Sequence, residues 1–298
     1  MSTAPDTETV RPRMPSAPVR SLPPGACDTH THVFGPRETF PLSRPSSYAL
    51  PRAPFEVHAD MLARIGAARA VLVQPAPYAT DPSALVDALG RYGGRARGVA
   101  TAAADTSDRE WRALHDAGVR ALRFNEVLDR GTGKRFAGSV GIDQLPGLAP
   151  RMREMGWHAQ VWARCPDVPA CAAECARFGV PVVFEHMGSF DVGAGVDGEA
   201  FQAMVRLLVD GRVWVKLALC RNSAAAPDYT DLRPFHDALV AANPSRLLWA
   251  SDWPFVRMGD QSPDVGRLLD VFDDWIGDDG LRQRILVDNP VALYGFTP

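Results

Sequence analysis

Two kinds of apolar pattern alternate along this chain. Short runs rich in Val, Leu and Ala, without a polar residue at every second position, are separated by stretches whose apolar residues recur at helical spacing. The first pattern is typical of parallel strands covered on both faces, and the second of the amphipathic helices that cover them. Together they predict strands that begin near residues 26, 68, 97, 119, 157, 180, 213 and 246.

Start and stop residues delimit the helices predicted between these strands. Asp81 and Pro82 combine an N-cap with a proline at the first helical position, and Ser107 opens a helix for which Gly118 is the stop. The segment from Asn125 to Gly141 interrupts the alternation, and a loop of this length is usually functional or disordered. The predicted helices cover 55–66, 82–92, 107–115, 143–155, 167–178, 199–209, 231–242, 263–275 and 279–287.

This alternation predicts an α/β fold, the (β/α)8 TIM-type barrel, because eight strand–helix units fit a chain of about 270 residues. The alternative is an open doubly wound sheet, which would carry a glycine-rich fingerprint after the first strand. The first predicted strand is followed by no such fingerprint. We therefore expect one barrel over residues 26–298. Residues 1–25 are rich in Pro, Ser and Thr and are predicted to form a disordered or extended N-terminal arm.

Composition narrows the range of partners. The chain is 46% apolar with a formal net charge of −3, so we expect no nucleic-acid partner. No apolar run approaches the length of about 18 residues that a membrane span needs, and the N-terminal region has no apolar segment typical of a secretory signal. The odd number of cysteines, five, favours reduced thiols and a cytoplasmic protein. The sequence leaves open whether the chain forms a homo-oligomer.

Candidate chemistry lies at the predicted ends of the strands. His30 and His32 close the first strand and share one face, because side chains alternate along a strand. Arg123 closes the fourth strand, His186 the sixth and Asp252 the eighth. The active site of a TIM barrel lies at the carboxyl ends of its strands, so these residues are expected to converge on one mouth. Alone, the histidine pair could be structural, could hold a metal ion or could polarise a substrate oxygen.

These motifs, taken in order, resemble the lactonase branch of the amidohydrolase superfamily, which includes 2-pyrone-4,6-dicarboxylate lactonase and the sugar lactonases. The resemblance spans about residues 26 to 296. The motifs that carry it are Asp28-Thr29-His30-x-His32-x-Phe34-Gly35-Pro36, Val119-Arg120-Ala121-Leu122-Arg123-Phe124-Asn125, Glu185-His186-Met187-Gly188, Val213-Trp214-Val215-Lys216-Leu217, Ser251-Asp252-Trp253-Pro254 and Val287-Asp288-Asn289-Pro290.

The resemblance implies hydrolysis of a cyclic ester. It implies that Asp252 is the general base that takes a proton from the attacking water and later passes it to the leaving oxygen. The three histidines, His30, His32 and His186, would donate hydrogen bonds to the lactone carbonyl as negative charge develops on it. The expected substrates are small carboxylated lactones of the 2-pyrone-4,6-dicarboxylate, muconolactone or sugar-acid type, with a role in aromatic or sugar-acid catabolism; the sequence leaves the individual lactone open.

The resemblance also implies a set of groups that bind the anionic substrate, because guanidinium groups recognise carboxylates bidentately. These groups are Tyr48, Arg123, Arg130 and Arg221. One departure from the dicarboxylate lactonase pattern concerns a further arginine after the strand-six histidine, where this chain has Gly188-Ser189-Phe190. That departure leaves room for a monocarboxylate, a sulfonated muconolactone or a sugar-acid lactone.

The resemblance implies catalysis without a metal. A two-metal site is not expected, because the fourth strand ends without a lysine and His158 lies two positions short of the end of the fifth, deeper in the barrel or facing the helices. The alternative is one zinc ion on His30, His32, His186 and Asp252. Two further alternatives to a lactonase are a zinc-dependent decarboxylase of the same superfamily and a non-catalytic barrel that binds a small acid.

Overall fold

The computed structural model describes residues 11–129 and 131–297, and these residues form the predicted (β/α)8 barrel. Eight strands pair in parallel in sequence order, each with the next along the chain. The strands are β1 Cys27–Thr31, β2 Arg69–Val73, β3 Ala96–Ala100, β4 Val119–Asn125, β5 His158–Trp162, β6 Val182–Phe184, β7 Trp214–Leu217 and β8 Leu247–Trp249.

The helices lie between the strands where the apolar periodicity predicted them. Ser107 caps its helix in a reciprocal box with Glu110, and Gly118 ends that helix with a φ of 105° that favours glycine. The helices are α1 Phe55–Ile65, α2 Ser83–Tyr92, α3 Asp108–Ala117, α4 Leu145–Glu154, α5 Val168–Arg177, α6 Glu199–Val209, α7 Arg233–Ala242, α8 Val265–Ile276, α9 Asp279–Gln283 and α10 Asn289–Tyr294.

The prediction missed the last helix, α10. Asn289 and Pro290 had suggested the end of helical structure, yet Pro290 lies in the first turn of α10, where a proline is tolerated because that amide has no helical acceptor. A π-helical turn, Arg284–Asp288, joins α9 to α10. The chain therefore continues as helix to Tyr294, which is completely buried.

Backbone hydrogen bonds between the first and last strands close the barrel at its mouth, the end at which the strands terminate. Thr31 forms a parallel bridge with Trp253. The amide of Asp252 donates to the carbonyl of His30 at 2.9 Å, and the amide of His32 donates to the carbonyl of Trp253 at 2.9 Å. Two expected catalytic residues of β1 are thus bonded directly to the segment that carries Asp252.

The contact between β1 and residues 249–253 is here called the seam. Side chains add hydrogen bonds to this seam deeper in the barrel, where the register of β1 with β2 is irregular. The Asp28 carboxylate accepts a hydrogen bond from the amide of Ser251 at 3.0 Å. The Thr29 hydroxyl donates to the carbonyl of Trp249 at 2.7 Å. Burial raises the pKa of Asp28 to about 6, and the hydrogen bonds from Ser251 only partly offset that cost.

The opposite end of the barrel interior, here called the floor, is an apolar cluster closed by the C-terminal segment. Tyr294 and Phe296 pack against inward-facing residues of the strands. The floor consists of Cys27, Val71, Val73, Val99, Ala121, Val183, Trp214, Leu248, Tyr294 and Phe296. His158 of β5 contacts the Tyr294 ring at 5.0 Å between centroids, so it lies deep in the barrel rather than against the helices.

Residues 11–25 of the predicted N-terminal arm contain neither helix nor strand and run along α8. The amide of Ser16 donates to the Asp264 carboxylate at 3.0 Å, and the amide of Val19 donates to Asp270 at 2.7 Å. The Ser16 carbonyl lies so close to Gly266 that a Cβ there would be 2.3 Å from it, which explains the glycine. Residues 1–10 of the arm lie outside the described residues.

Two further observations bear on the sequence analysis. Among the helices of the described chain, none has both the length and the apolar character needed to cross a bilayer. The five cysteines all carry free, buried thiols.

Candidate active site

The four expected catalytic residues meet at the mouth of the barrel. One carboxylate oxygen, Oδ1 of Asp252, lies 3.6 Å from His30 Nε2, 3.4 Å from His32 Nε2 and 3.4 Å from His186 Nε2. All four side chains are almost completely shielded from solvent. Residues more than 200 positions apart in the sequence therefore surround a single point.

Strained backbone presents two of these side chains. His186 has φ 48° and Asp252 has φ 67°, in the left-handed region that residues other than glycine rarely adopt. Met187 and Ser189 share this conformation in the turn after β6. Such strain persists only where the surrounding structure enforces it, and it is concentrated at functional sites.

The hydrogen bond of His32 fixes the position of its ring proton. Nδ1 of His32 lies 2.7 Å from the carbonyl oxygen of Val73, which can only accept, so Nδ1 is the donor. Burial lowers the pKa of His32 below its ordinary value, and it lowers the pKa of His30 much further. At neutral pH His32 is therefore uncharged, and its Nε2 presents a lone pair to Asp252.

The other two imidazoles face a second carboxylate with their opposite nitrogens. Glu185 lies 4.0 Å from Nδ1 of His30 and 3.8 Å from Nδ1 of His186. A carboxylate on that side favours a proton on each Nδ1, which leaves both Nε2 atoms as lone pairs. Neither ring nitrogen of these two histidines has a hydrogen-bond partner among the described residues.

Two overlapping sets of three residues could hold a metal ion, namely His30, His32 and Asp252, and His30, Glu185 and His186. Within each set the ligand atoms lie within 4.8 Å of one another. Imidazole nitrogens and carboxylate oxygens are ligands that zinc prefers. The separations from Asp252 Oδ1 to the three Nε2 atoms are 3.4–3.6 Å. The buried nitrogens without partners would also be satisfied by a cation at their centre.

Glu185, which the sequence analysis quoted within a motif but gave no role, anchors a network beneath the histidines. Arg123 donates to it bidentately, at 3.0 Å from Nε and 2.8 Å from Nη2. Gln160 donates to the same carboxylate at 2.6 Å and accepts from Lys216 Nζ at 2.6 Å. Burial would raise the pKa of Glu185, but the charge of Arg123 holds it at about 2.

Lys216 lies at the bottom of this network, completely buried between the mouth and the floor. Its ammonium group donates to the carbonyl of Thr29 at 2.5 Å as well as to Gln160. Burial lowers the pKa of Lys216 to about 7, although the charge of Glu185 opposes the shift. The strand-seven motif contained this lysine, but the sequence could not show what it contacts.

Arg221 holds the expected general base. Its Nε donates to Oδ2 of Asp252, and its Nη1 donates to the carbonyl of Val256 at 2.8 Å. Burial alone would raise the pKa of Asp252, but the charge of Arg221 keeps it well below the ordinary value. Asp252 is therefore ionised at neutral pH.

A pocket opens from these residues to solvent, and three of the four expected substrate-binding residues line it, namely Tyr48, Arg123 and Arg221. The fourth, Arg130, lies outside the described residues. The walls include Phe136 and Trp162, whose rings stack at 5.6 Å with an interplanar angle of 2°. Arg257, on the loop after β8, also lines the pocket, and no sequence pattern had indicated it.

Comparisons with known proteins show the family of the chain and its fold. A family model described as amidohydrolase matches residues 27–296. The chain is 37% identical over 290 residues to a 2-pyrone-4,6-dicarboxylate hydrolase of Comamonas testosteroni, covering 94% of this chain and 93% of that protein. It is 33% identical over 288 residues to a 4-sulfomuconolactone hydrolase of Rhizobium radiobacter, covering 95% of each. A ligand-free crystal structure from Agrobacterium tumefaciens superposes with a TM-score of 0.81 at 25% identity, over 95% of this chain and 100% of the other.

Proposed function

The chain belongs to the amidohydrolase family, and from this premise we propose that it opens carboxylated lactones by hydrolysis. It is an enzyme of the lactonase branch, as its relatives are lactone hydrolases. The observation that carries the proposal is the convergence of three imidazole nitrogens on Oδ1 of Asp252 at the end of a pocket lined by arginines. A lactone is an ester, and its hydrolysis requires a base for water, stabilisation of the carbonyl oxygen and a proton for the departing ring oxygen.

Asp252 supplies the base in this proposal. Its ionised carboxylate takes a proton from water as the water attacks the lactone carbonyl carbon, and the proton then passes to the ring oxygen when the carbon–oxygen bond breaks. Arg221 keeps Oδ2 engaged, so Oδ1 is the oxygen turned towards the histidines and the reacting water. The pairing with Arg221 makes Asp252 a weak base, and the reaction therefore depends on strong stabilisation of the carbonyl oxygen.

The histidines are proposed to face that carbonyl oxygen. In a site without metal they act as hydrogen-bond donors, which requires a proton on Nε2. For His32 this means the imidazolium form, because its Nδ1–H already donates to the carbonyl of Val73, whereas burial favours the neutral ring. A zinc ion held by His30, His32, His186 and Asp252 would instead supply Lewis-acid polarisation of the carbonyl and a lowered pKa for water.

Metal independence therefore stays a prediction from the family resemblance, and zinc stays the alternative, for which imidazole and carboxylate donors are suitable ligands. The remaining residues act in the same way in either case. Arg123 and Tyr48 are proposed to orient the substrate from the pocket wall, and Arg221 is proposed to contact it through the guanidinium edge that is not used by Asp252. A role in aromatic catabolism follows from carboxylated pyrones and muconolactones as the proposed substrates.

A panel of lactones assayed with and without a chelator tests the proposal. It should contain 2-pyrone-4,6-dicarboxylate, muconolactone, 4-sulfomuconolactone and sugar-acid lactones, and the product is the ring-opened acid. We expect at least one carboxylated lactone to be hydrolysed and uncharged lactones to be poor substrates. If none of the panel is opened by folded protein, the proposal is wrong. Metal content, measured by mass spectrometry before and after chelation, decides between the two forms of the site.

Location and assembly stay proposals from the sequence. We propose a cytoplasmic enzyme that acts on small molecules and binds no nucleic acid, as the net charge of −3 suggests. Light scattering after size-exclusion chromatography measures whether it forms a homo-oligomer.

A further inference from the structure

Of the three arginines that line the pocket in the described part of the chain, two are already paired with buried carboxylates. Arg123 gives the Nε–Nη2 edge of its guanidinium to Glu185, and only 13% of its side chain is exposed. Arg221 is paired with Asp252, with 24% of its side chain exposed. Each pair is close to neutral as a unit, so neither arginine brings an uncompensated charge to an incoming anion.

Arg257 differs from both. Its side chain is 48% exposed, and Nη1 lies 3.4 Å from Oδ2 of Asp129 on the loop after β4. This separation is longer than the contacts of Arg123 with Glu185, and the Asp129 side chain is 18% exposed, so the pair is only partly shielded from solvent and contributes less than a buried bidentate pair. Among the described residues that line the pocket, Arg257 is the cation whose charge is most available to a substrate.

Two features hold Arg257 over the pocket. Its backbone has φ 68°, so the loop directs this side chain at a conformational cost. Its guanidinium lies over the Phe136 ring at 5.0 Å from the centroid, and Phe136 in turn stacks on Trp162. Trp162, Phe136 and Arg257 form, in this order, a three-layer wall from the end of β5 and the loops after β4 and β8, and cation–π contact keeps the guanidinium plane in place.

We propose that Arg257 binds a carboxylate of the substrate, which replaces Asp129 as its partner, and that it thereby selects lactones that carry an anionic group. This inference rests on the proposed lactonase function and goes beyond it by assigning a specificity-determining residue. It also supplies a cation that the turn after β6 does not provide, since Phe190 in that turn packs against Phe235 at 4.1 Å between centroids.

The substrate carboxylate and Asp129 compete for Arg257 in this proposal, so substitutions of Arg257 and of Asp129 should have opposite effects on KM. Arg257→Met removes the charge and keeps the aliphatic stem. Asp129→Asn removes the competing charge, while the amide oxygen can still accept the hydrogen bonds that Oδ1 receives from Gly131 and Thr132. Arg267→Met is the matched control, because Arg267 is 46% exposed and pairs with Asp228 on the outer surface of the barrel.

The probes are muconolactone, which has one carboxylate, and its methyl ester, in which that group is uncharged. For muconolactone we expect Arg257→Met to raise KM about tenfold with kcat little changed, and Asp129→Asn to lower KM about threefold, because charge-assisted bonds are strong and exposed ion pairs weak. For the methyl ester both variants should stay within about twofold of the wild type, as should Arg267→Met for either probe.

Equal effects of Arg257→Met on the acid and on its ester would overturn the inference, and so would a rise in KM with Asp129→Asn. Circular dichroism and thermal unfolding confirm that each variant is folded. If the wild type hydrolyses neither muconolactone nor its ester, the same comparison is made with whichever carboxylated lactone of the panel is opened. Absence of turnover on the whole panel contradicts the proposed function. Turnover with a KM that Arg257→Met leaves unchanged contradicts this inference alone.

Discussion

The mouth and the floor of the barrel interior use the same eight strands for opposite purposes. At the mouth, three imidazoles, two carboxylates and two arginines are packed within a few ångströms of one another, and Asp252 and His186 have strained backbone. At the floor, apolar side chains surround Tyr294 and Phe296, and the chain there has ordinary helical and strand conformations. Most side chains are buried at both ends, so burial alone does not distinguish a functional region from a structural one.

The mouth and the floor differ in the hydrogen-bond and ion-pair partners of their buried polar groups. Buried charges at the mouth are arranged in pairs, and the unpartnered Nε2 atoms of His30 and His186 both face Oδ1 of Asp252. Lys216 lies between the two regions and joins them through Gln160 and Glu185. The comparison indicates that changes at the mouth should alter the reaction with little effect on stability, and that changes at the floor should do the reverse.

The largest expected effect is at the mouth, for Asp252→Asn. The amide has nearly the same shape but cannot take a proton from water, so kcat should fall by about 10²–10⁴. The variant should remain folded, as measured by circular dichroism and thermal unfolding. A folded variant that retains more than about a tenth of the wild-type kcat would show that Asp252 is not the base.

At the floor, Tyr294→Ala should be strongly destabilising. Truncating a fully buried aromatic side chain typically costs about 3–5 kcal/mol in free energy of unfolding. Denaturant unfolding measures this, while kcat per folded molecule should stay near that of the wild type. The control is Tyr294→Phe, because the Tyr294 hydroxyl has no partner among the described residues and its removal should cost little. A Tyr294→Ala variant with normal stability and lost turnover would reverse the comparison.

The substitution His32→Asn distinguishes an active site without a metal from one that holds zinc. Without a metal, asparagine can still donate to the carbonyl oxygen, and the loss of one such donor group costs about 10²–10³ in kcat, so residual activity should be measurable. With zinc, the substitution should reduce metal content, and added zinc should partly restore turnover. His158→Asn is the control at the floor, where neither metal content nor zinc response should change. Recovery of turnover by the His32→Asn variant when zinc is added would refute metal-independent catalysis.

The smallest expected effect concerns Lys216 and pH. The folded protein holds the pKa of Lys216 at about 7, whereas an unfolded lysine titrates near pH 10.4. Between these values the unfolded chain binds more protons, so this group makes the free energy of unfolding rise with pH, by about 2 kcal/mol from pH 7 to pH 9. Lys216→Met should remove this rise in urea unfolding experiments at the two pH values. Identical slopes for wild type and variant would show that Lys216 is not desolvated.

Much of the fold could be predicted because apolar periodicity and capping residues are local signals. The sixth strand, expected near residue 180, begins at Val182, and the helix after Ser107 starts and stops at the expected residues. The last helix was missed because Pro290 is compatible with two opposite interpretations, the end of a helix or its first turn. Only the packing of Tyr294 into the barrel decides between them.

The candidate site also has a part that the sequence could predict and a part that it could not. Alternation along strands placed His30, His32, His186 and Asp252 at one mouth, since strand ends are readable from sequence. The partners of these residues could not be predicted, because the pairing of Arg123 with Glu185 depends on strand register and the position of Arg257 depends on loop backbone of positive φ. Tertiary packing determines the register between strands and the strained backbone of loops. Neither produces a periodic pattern in the sequence.

The backbone bonds that join β1 to the segment after β8 have a consequence for biosynthesis. His30 leaves the ribosome early and Asp252 late, and the amide of Asp252 meets the carbonyl of His30 only when the seam closes. A nascent chain that ends before residue 252 therefore contains three of the four groups and no reaction centre. Catalytic activity in a translation reaction should appear only with the completed polypeptide, so turnover can serve as a reporter of the final step of barrel assembly.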